Sequence, residues 1–229
     1  MTGKNSQLYI IFIIISVSFT LVILNLNVLP KLYEEKFDKR YVYFGKDAPT
    51  PSKLNPIVNE RKNRLIQKAV EQNIKIVITE DIRSFKEQEE LYQQGRTKKG
   101  NIVTNTKAGE SYHNYGLAFD YALLNSSGTI IWDTSYDGNG NGKSDWFEVA
   151  DIGKKLGFDW GGDWTSFIDY PHLQMTFGIS IAMLKEGYRV NDEVVKKDLE
   201  KYIGANSYKN KMIFTIKKLS ISVMNMAYR

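Results

Sequence analysis

The chain contains two histidines, and each sits in a stretch that combines metal-binding and proton-carrying groups at close spacing. His113 lies in Ser111-Tyr-His-Asn-Tyr-Gly-Leu-Ala-Phe-Asp120, and His172 closes Trp160-Gly-Gly-Asp-Trp-Thr-Ser-Phe-Ile-Asp-Tyr-Pro-His172. A zinc ion that activates water needs three protein ligands and one open position, and imidazole with carboxylate suits it. A lone histidine beside an aspartate is more often a hydrogen-bonded structural pair. Two separate motifs that together supply both histidines and an aspartate point instead to one shared ion, held by His113, Asp120 and His172. The absence of cysteine excludes Cys-ligated zinc, thiol catalysis and disulfide stapling.

These ligands need rigid elements beneath them. His113 and Asp120 flank a turn containing Gly116, where the chain reverses before Asp120 enters a strand over residues 116–123. Residues 171–177 read as a second strand, with His172, Gln174 and Thr176 facing the site and Leu173, Met175 and Phe177 facing the core. His172 is expected to stand exposed on the site face. Residues 60–72 place Leu65, Ile66, Ala69 and Val70 on one helical face. Residues 74–79 are β-branched and strand-like, and 84–94 form a helix with Phe85, Leu91 and Tyr92 inward. A strand over 129–132 follows the turn at 125–128, and a helix over 146–156 ends at Gly157. Helices and strands interleave without a βαβ rhythm, which predicts an α+β domain whose antiparallel sheet is flanked by helices.

The ends differ from this domain. Residues 8–29 carry no charge, and at about 1.5 Å per residue they reach across a hydrocarbon layer of roughly 30 Å. The run is longer than a signal-peptide core and lacks small residues at a cleavage site, so an uncleaved transmembrane anchor is expected. Residues 1–7 form a short N-terminal segment, 30–58 a proline-containing linker, 59–190 the chemistry-bearing domain and 191–229 a basic extension. The composition is that of a globular protein, and the net charge of +5 suits anionic polymers such as a cell wall or lipid headgroups. No nucleic-acid motif is present.

The two motifs, with Ser-x-His-x-x-Gly-x-Ala-x-Asp followed by Trp-Gly-Gly-Asp-Trp and Asp-x-Pro-His, resemble the double signature of the peptidase M15 family. That family holds zinc D-Ala-D-Ala carboxypeptidases and L-Ala-D-Glu endopeptidases, and the spelling here is similar to the endopeptidase branch of wall hydrolases and phage endolysins. The likeness runs from about residue 65 to 187. It implies a Hedgehog/DD-peptidase-like fold, zinc at His113, Asp120 and His172, and a catalytic carboxylate three residues before the last ligand, Asp169. Asp163 competes by residue type, although an Asp in Gly-Gly-Asp-Trp reads as a turn residue. The resemblance also implies an arginine after the first strand that stabilises the tetrahedral intermediate, here Arg83. Ser111, Gln88 and Trp164 are candidates for substrate contact. Where the family has Gly-Tyr before this arginine, the chain has Asp81-Ile82, and Asp tolerates some left-handed geometry.

Residues 137–148 fit the twelve-residue calcium-loop pattern. The expected ligands are Asp137, Asn139, Asn141, the Lys143 carbonyl, Asp145 and Glu148. The plainer alternative is a Gly/Asn-rich loop whose acidic residues cap the next helix.

The expectation is thus a membrane-anchored zinc peptidase on the wall side of a cell membrane, cutting the L-Ala-D-Glu bond of peptidoglycan stem peptides. The charge distribution around residues 8–29 favours the opposite orientation, and the chemistry overrules it. The alternatives are a D-Ala-D-Ala carboxypeptidase, a non-catalytic wall-binding module of the same fold, and an anchored assembly protein working through its basic tail.

Overall fold

The computed structural model describes residues 15–18, 22 and 39–199. The chain divides into two compact units, Met1–Val42 and Tyr43–Arg229, and the second carries the site. Among the described residues no helix is long and apolar enough to cross a membrane. This corrects the expected transmembrane helix over 8–29 and, with it, the single-pass membrane location. Most of that segment, and all of the basic extension beyond residue 199, lies outside the described residues.

The second unit is α+β. Its first helix, α1 (Pro56–Glu71), starts four residues earlier than the apolar spacing alone suggests, because Asn55 caps it. The Asn55 side chain accepts from the Ile57 N–H at 2.9 Å, and Pro56 takes the first helical position, where a missing N–H costs nothing. Ile57, Val58, Leu65 and Ala69 are buried along one face. Val70, expected inward, is 59% exposed, so the buried stripe is narrower than the sequence suggests.

Strand β1 (Lys75–Glu80) leads to α2 (Phe85–Gln93), which opens with a capping box between Ser84 and Glu87. The buried residue of α2 is Gln88, whereas Phe85 is 40% exposed. A 3₁₀ turn (Tyr112–Tyr115) precedes β2 (Ala118–Leu124), followed by β3 (Ile130–Ile131), α3 (Asp145–Lys155), β4 (Asp159–Trp160), β5 (His172–Gln174) and α4 (Ile181–Lys185). The sheet is antiparallel in the order β1-β2-β5-β4, with β3 pairing β2.

Strand β2 is the centre of the core. Phe119, Tyr121 and Leu123 on one face and Ala118 and Ala122 on the other are fully buried, and Tyr121 packs on Trp146 of α3 with ring centroids 5.0 Å apart. β5 is shorter than expected, ending at Gln174. Beyond it Phe177 takes a positive φ of 53°, which breaks the extended alternation.

The sheet has one irregularity that matters for the site. Ile78 pairs Tyr121, but a bulge then places Glu80, rather than Thr79, opposite Asp120. Asp120 pairs in turn with His172. Glu80, Asp120 and His172 therefore form one row across three adjacent strands.

Candidate metal centre and catalytic cleft

The three expected ligands come together. One nitrogen or oxygen from each of His113, Asp120 and His172 lies within 4.8 Å of the others, the only such group of His, Cys, Asp or Glu side chains among the described residues. His113 Nε2 and His172 Nδ1 are 3.1 Å apart, and each lies 3.2 Å from Asp120 Oδ1. His113 hangs from the 3₁₀ turn, whose start is fixed by Ser111 Oγ accepting the His113 N–H. The turn ends at Gly116 with φ 66°, and a Cβ there would lie 2.6 Å from the Lys53 carbonyl oxygen. Glycine is thus required both for its backbone shape and for space.

Hydrogen bonds on the far sides of the rings decide what the facing nitrogens can do. His113 Nδ1 is 3.2 Å from the Asp81 carbonyl oxygen, an acceptor, so this nitrogen carries the proton. His172 Nε2 is 3.0 Å from Gln174 Oε1, which in the same way receives the proton on that side. Both remaining lone pairs then point at the same place, beside a carboxylate oxygen. Without a cation that arrangement is repulsive. With one it is a ligand set whose ring orientation is fixed by outer partners. In tetrahedral coordination with bonds of about 2.0 Å, ligand atoms sit roughly 3.3 Å apart, close to the separations seen. The residues fit a zinc ion.

His172 is 7% exposed, so it lies at the buried floor of the cleft rather than standing out from the strand. Burial would lower its pKa, but the hydrogen bond and charge of Asp120 outweigh this and raise it. Burial likewise pushes the Asp120 carboxyl up, while the two adjoining imidazoles, which can donate to it when protonated, outweigh this and hold it well below the usual carboxylate range.

The cleft above this floor has a volume of about 510 Å³ and is lined by Arg83, Ser111, Trp164 and Asp169 as well as the three ligands. Asp169 is held by its backbone, its N–H donating to Gly161 O at 3.0 Å and its carbonyl accepting from the His172 N–H. Its carboxyl pKa is raised, first by burial and then by the charge of Asp120, against opposing pulls from His172, His113 and Arg83. Asp163 points elsewhere, pairing with Lys154 at 3.3 Å.

Gly161 fits tightly beneath this loop. A Cβ at Gly161 would lie 2.4 Å from the Asp169 carbonyl oxygen and 3.1 Å from His172 Cβ. Gly161→Ala is therefore expected to cost about 1–3 kcal/mol of stability by overpacking. It should also weaken metal binding, because the relief must move Asp169 or His172. Urea unfolding and zinc competition on the same protein check both.

Arg83 is enclosed on several sides. Its Nε and Nη2 donate to the two oxygens of Glu80 at 2.6 and 2.5 Å, and Nη1 donates to Gln88 Oε1 at 2.8 Å. Gln88 is fully buried and locked by its own N–H donation to the Thr106 carbonyl at 2.7 Å. It reaches Arg83 rather than the cleft lumen. Asp81 does not adopt left-handed geometry. Among the described non-glycine residues only Asn73 and Phe177 have positive φ, and Asp81 instead accepts its neighbour's Ile82 N–H at 2.7 Å. Glu80, the partner of Arg83, escapes sequence reasoning, and Gln174 is expected on the site face but not as the partner of His172. Gln174 is recoverable from its place two residues after His172 on the same strand face, whereas Glu80 depends on the bulge.

The expected calcium loop is closed on itself. Asp137 accepts the N–H groups of Asn141 and Gly142, and the Asn139 and Asn141 amides donate to the two oxygens of Glu148 at 3.0 and 2.8 Å. The donors of the loop engage Asp137 and Glu148, and Asp137, Asp145 and Glu148 are not gathered as a metal-binding group. Calcium at Asp137, Asn139, Asn141, Lys143, Asp145 and Glu148 is not supported.

Asp145 is 2% exposed, and its Oδ1 lacks a hydrogen-bond partner. Burial, followed by the charges of Glu148 and Asp137, raises its pKa against the pull of the Gly138 and Asn139 N–H groups. A carboxyl with a folded pKa above its unfolded value favours folding most when protonated, and that contribution is lost as pH rises through the folded pKa. Asp145→Asn should therefore raise Tm at pH 7 by roughly 2–4 °C, with no gain at pH 3. Thermal melts at the two pH values check it.

The sequence comparisons bear on the same residues. The M15 peptidase profile described as D-alanyl-D-alanine carboxypeptidase matches residues 104–175, a span that contains His113, Asp120, Asp169 and His172. Over 129 residues the chain is 64% identical to the peptidoglycan L-alanyl-D-glutamate endopeptidase CwlK of Bacillus subtilis (strain 168), covering 56% of this chain and 77% of that protein. The chain belongs to the M15 peptidase family. This M15 peptidase is also similar to the L-alanyl-D-glutamate peptidase of Listeria phage A118, at 26% identity over 59% of this chain and 42% of the phage protein. Among solved structures it is similar to the L-Ala D-Glu endopeptidase ChiX of Serratia marcescens, with a TM-score of 0.33 and 19% identity over 55% of this chain and 90% of that one.

Proposed function

We propose that this M15 peptidase is a zinc-dependent peptidoglycan hydrolase that cuts the L-Ala-D-Glu bond of stem peptides. The observation that carries the reading is the pair of imidazole lone pairs turned on one point beside Asp120, in a cleft that also holds Asp169 and Arg83. The 64% identity to a peptidoglycan L-alanyl-D-glutamate endopeptidase supports the choice of bond.

His113, Asp120 and His172 would hold the zinc ion, which when bound supplies Lewis acidity and lowers the pKa of water. Asp169 takes the proton of the attacking water and passes it to the leaving amine nitrogen. Its raised pKa makes it a better base than an ordinary surface carboxylate. Arg83, fixed by Glu80 and Gln88, stabilises the negative charge that develops on the carbonyl oxygen, and its rigidity avoids reorganisation during the reaction. Ser111 and Trp164 line the cleft where the peptide would lie.

The test is mass spectrometry of purified muropeptides incubated with the zinc-loaded chain. New fragments beginning at D-Glu are the expected products. Loss of a terminal D-Ala alone would assign the carboxypeptidase reaction, and intact muropeptides with zinc bound would overturn hydrolysis altogether.

A further inference from the structure

An arginine offers a carboxylate two bidentate approaches, one along the Nε and Nη2 edge and one between Nη1 and Nη2. In this chain Glu80 fills the first with both of its oxygens. The second is narrowed by Gln88 on Nη1, with Asp120 Oδ2 standing 3.8 Å from Nη2. The Arg83 and Glu80 side chains are only 11% and 32% exposed, so water screens the pair weakly and displacing Glu80 is costly. Among the described residues Arg83 is the sole Lys or Arg lining the cleft. Of the cleft's carboxylates, Glu110 pairs with Lys185 at 3.4 Å and Asp120 would ligate the metal, which leaves Glu80 and Asp169 to meet a substrate charge.

This arrangement bears on the residue that leaves. Whichever peptide bond is cut, the leaving amine belongs to a residue with an α-carboxyl group one atom from the scissile nitrogen. As a free carboxylate, that group would approach an arginine whose Nε–Nη2 edge is already held by Glu80, with the Glu80 charge beside it. As a carboxamide it carries no charge, and its N–H groups can donate to a carboxylate. We propose that Glu80 is a specificity residue that selects stem peptides whose leaving residue has its α-carboxyl masked as an amide over those with a free α-carboxylate. The inference rests on the hydrolase reading above. Glu80 acts by occupying the Arg83 fork and by presenting its own oxygens to the amide.

The test uses the full zinc-loaded chain and two N-acetylated stem peptides that differ only in the D-Glu α-carboxyl, free in one and amidated in the other. For the wild-type chain kcat/KM should favour the amidated peptide at least tenfold. Glu80→Gln should move that ratio at least tenfold toward the free acid, because an uncharged partner releases the guanidinium and removes the repulsion. Glu80→Asp, which keeps the charge, should retain the preference for the amide. A wild-type preference for the acid, or an equal fall on both peptides in Glu80→Gln with unchanged ratio, overturns the proposal. If neither peptide is cut by wild-type protein with zinc bound, the hydrolase reading itself fails, a result separate from a lost preference.

Discussion

Asp169→Ala lowers kcat on stem peptides by about 10²–10⁴-fold while zinc stays bound at one equivalent, because the variant removes the proton carrier and leaves the ligands untouched. The carboxyl is well placed for this loss to be chemical rather than structural. It is anchored by its backbone to Gly161 and His172, so truncating the side chain leaves the loop's hydrogen bonds intact. Asp169→Asn should behave like the alanine variant, since the isosteric amide fills the space without accepting a proton. Turnover by chromatography and zinc content by elemental analysis check both at once. Activity within tenfold of wild type in either variant would move the base elsewhere.

The second large effect concerns the metal. His172→Ala should abolish stoichiometric zinc binding and, with it, all hydrolysis. Gln174→Ala should leave the metal bound but weaken its affinity by roughly 10–100-fold, the usual cost of losing an outer partner of a ligating histidine. The difference follows from the geometry. His172 Nδ1 faces the site, while Gln174 acts through Nε2 by holding the ring in the tautomer that leaves Nδ1 free. Chelator competition ranks the two variants against wild type. Tight zinc in His172→Ala would exclude the site as built from His113, Asp120 and His172.

That His113, Asp120 and His172 would come together was legible in the sequence because metal chemistry restricts residue type severely. With no cysteine and two histidines, a metal site has few ways to be built, and the motifs around His113 and His172 also carry Asp120 and Asp169 at fixed offsets. The antiparallel α+β character was equally legible, since strand-like and helical patterns alternate without crossover spacing. Other local patterns misled. The loop over residues 137–148 has a calcium-binding spelling, yet its asparagine amides and backbone N–H groups satisfy Asp137 and Glu148 internally. A spelling fixes which atoms are available, whereas the fold fixes which of them are already engaged. Burial followed the same rule: Val70 matched the inward stripe but is exposed, while polar Gln88 is the fully buried residue of its helix.

By itself the sequence determined which residue types could serve as ligands, base and oxyanion partner, and the antiparallel α+β character of the domain, because each depends on residue chemistry or on periodicity within one segment. Tertiary structure alone decided how the cleft is tuned. The bulge in β1 brings Glu80 instead of Thr79 opposite Asp120, and only then can Glu80 grip Arg83 and share a row with His172. Likewise the Asp81 carbonyl and Gln174 set the imidazole tautomers through contacts visible only after the strands have paired. Pairing register and hydrogen-bond partners are properties of segments brought together across the fold, so no single stretch of chain encodes them.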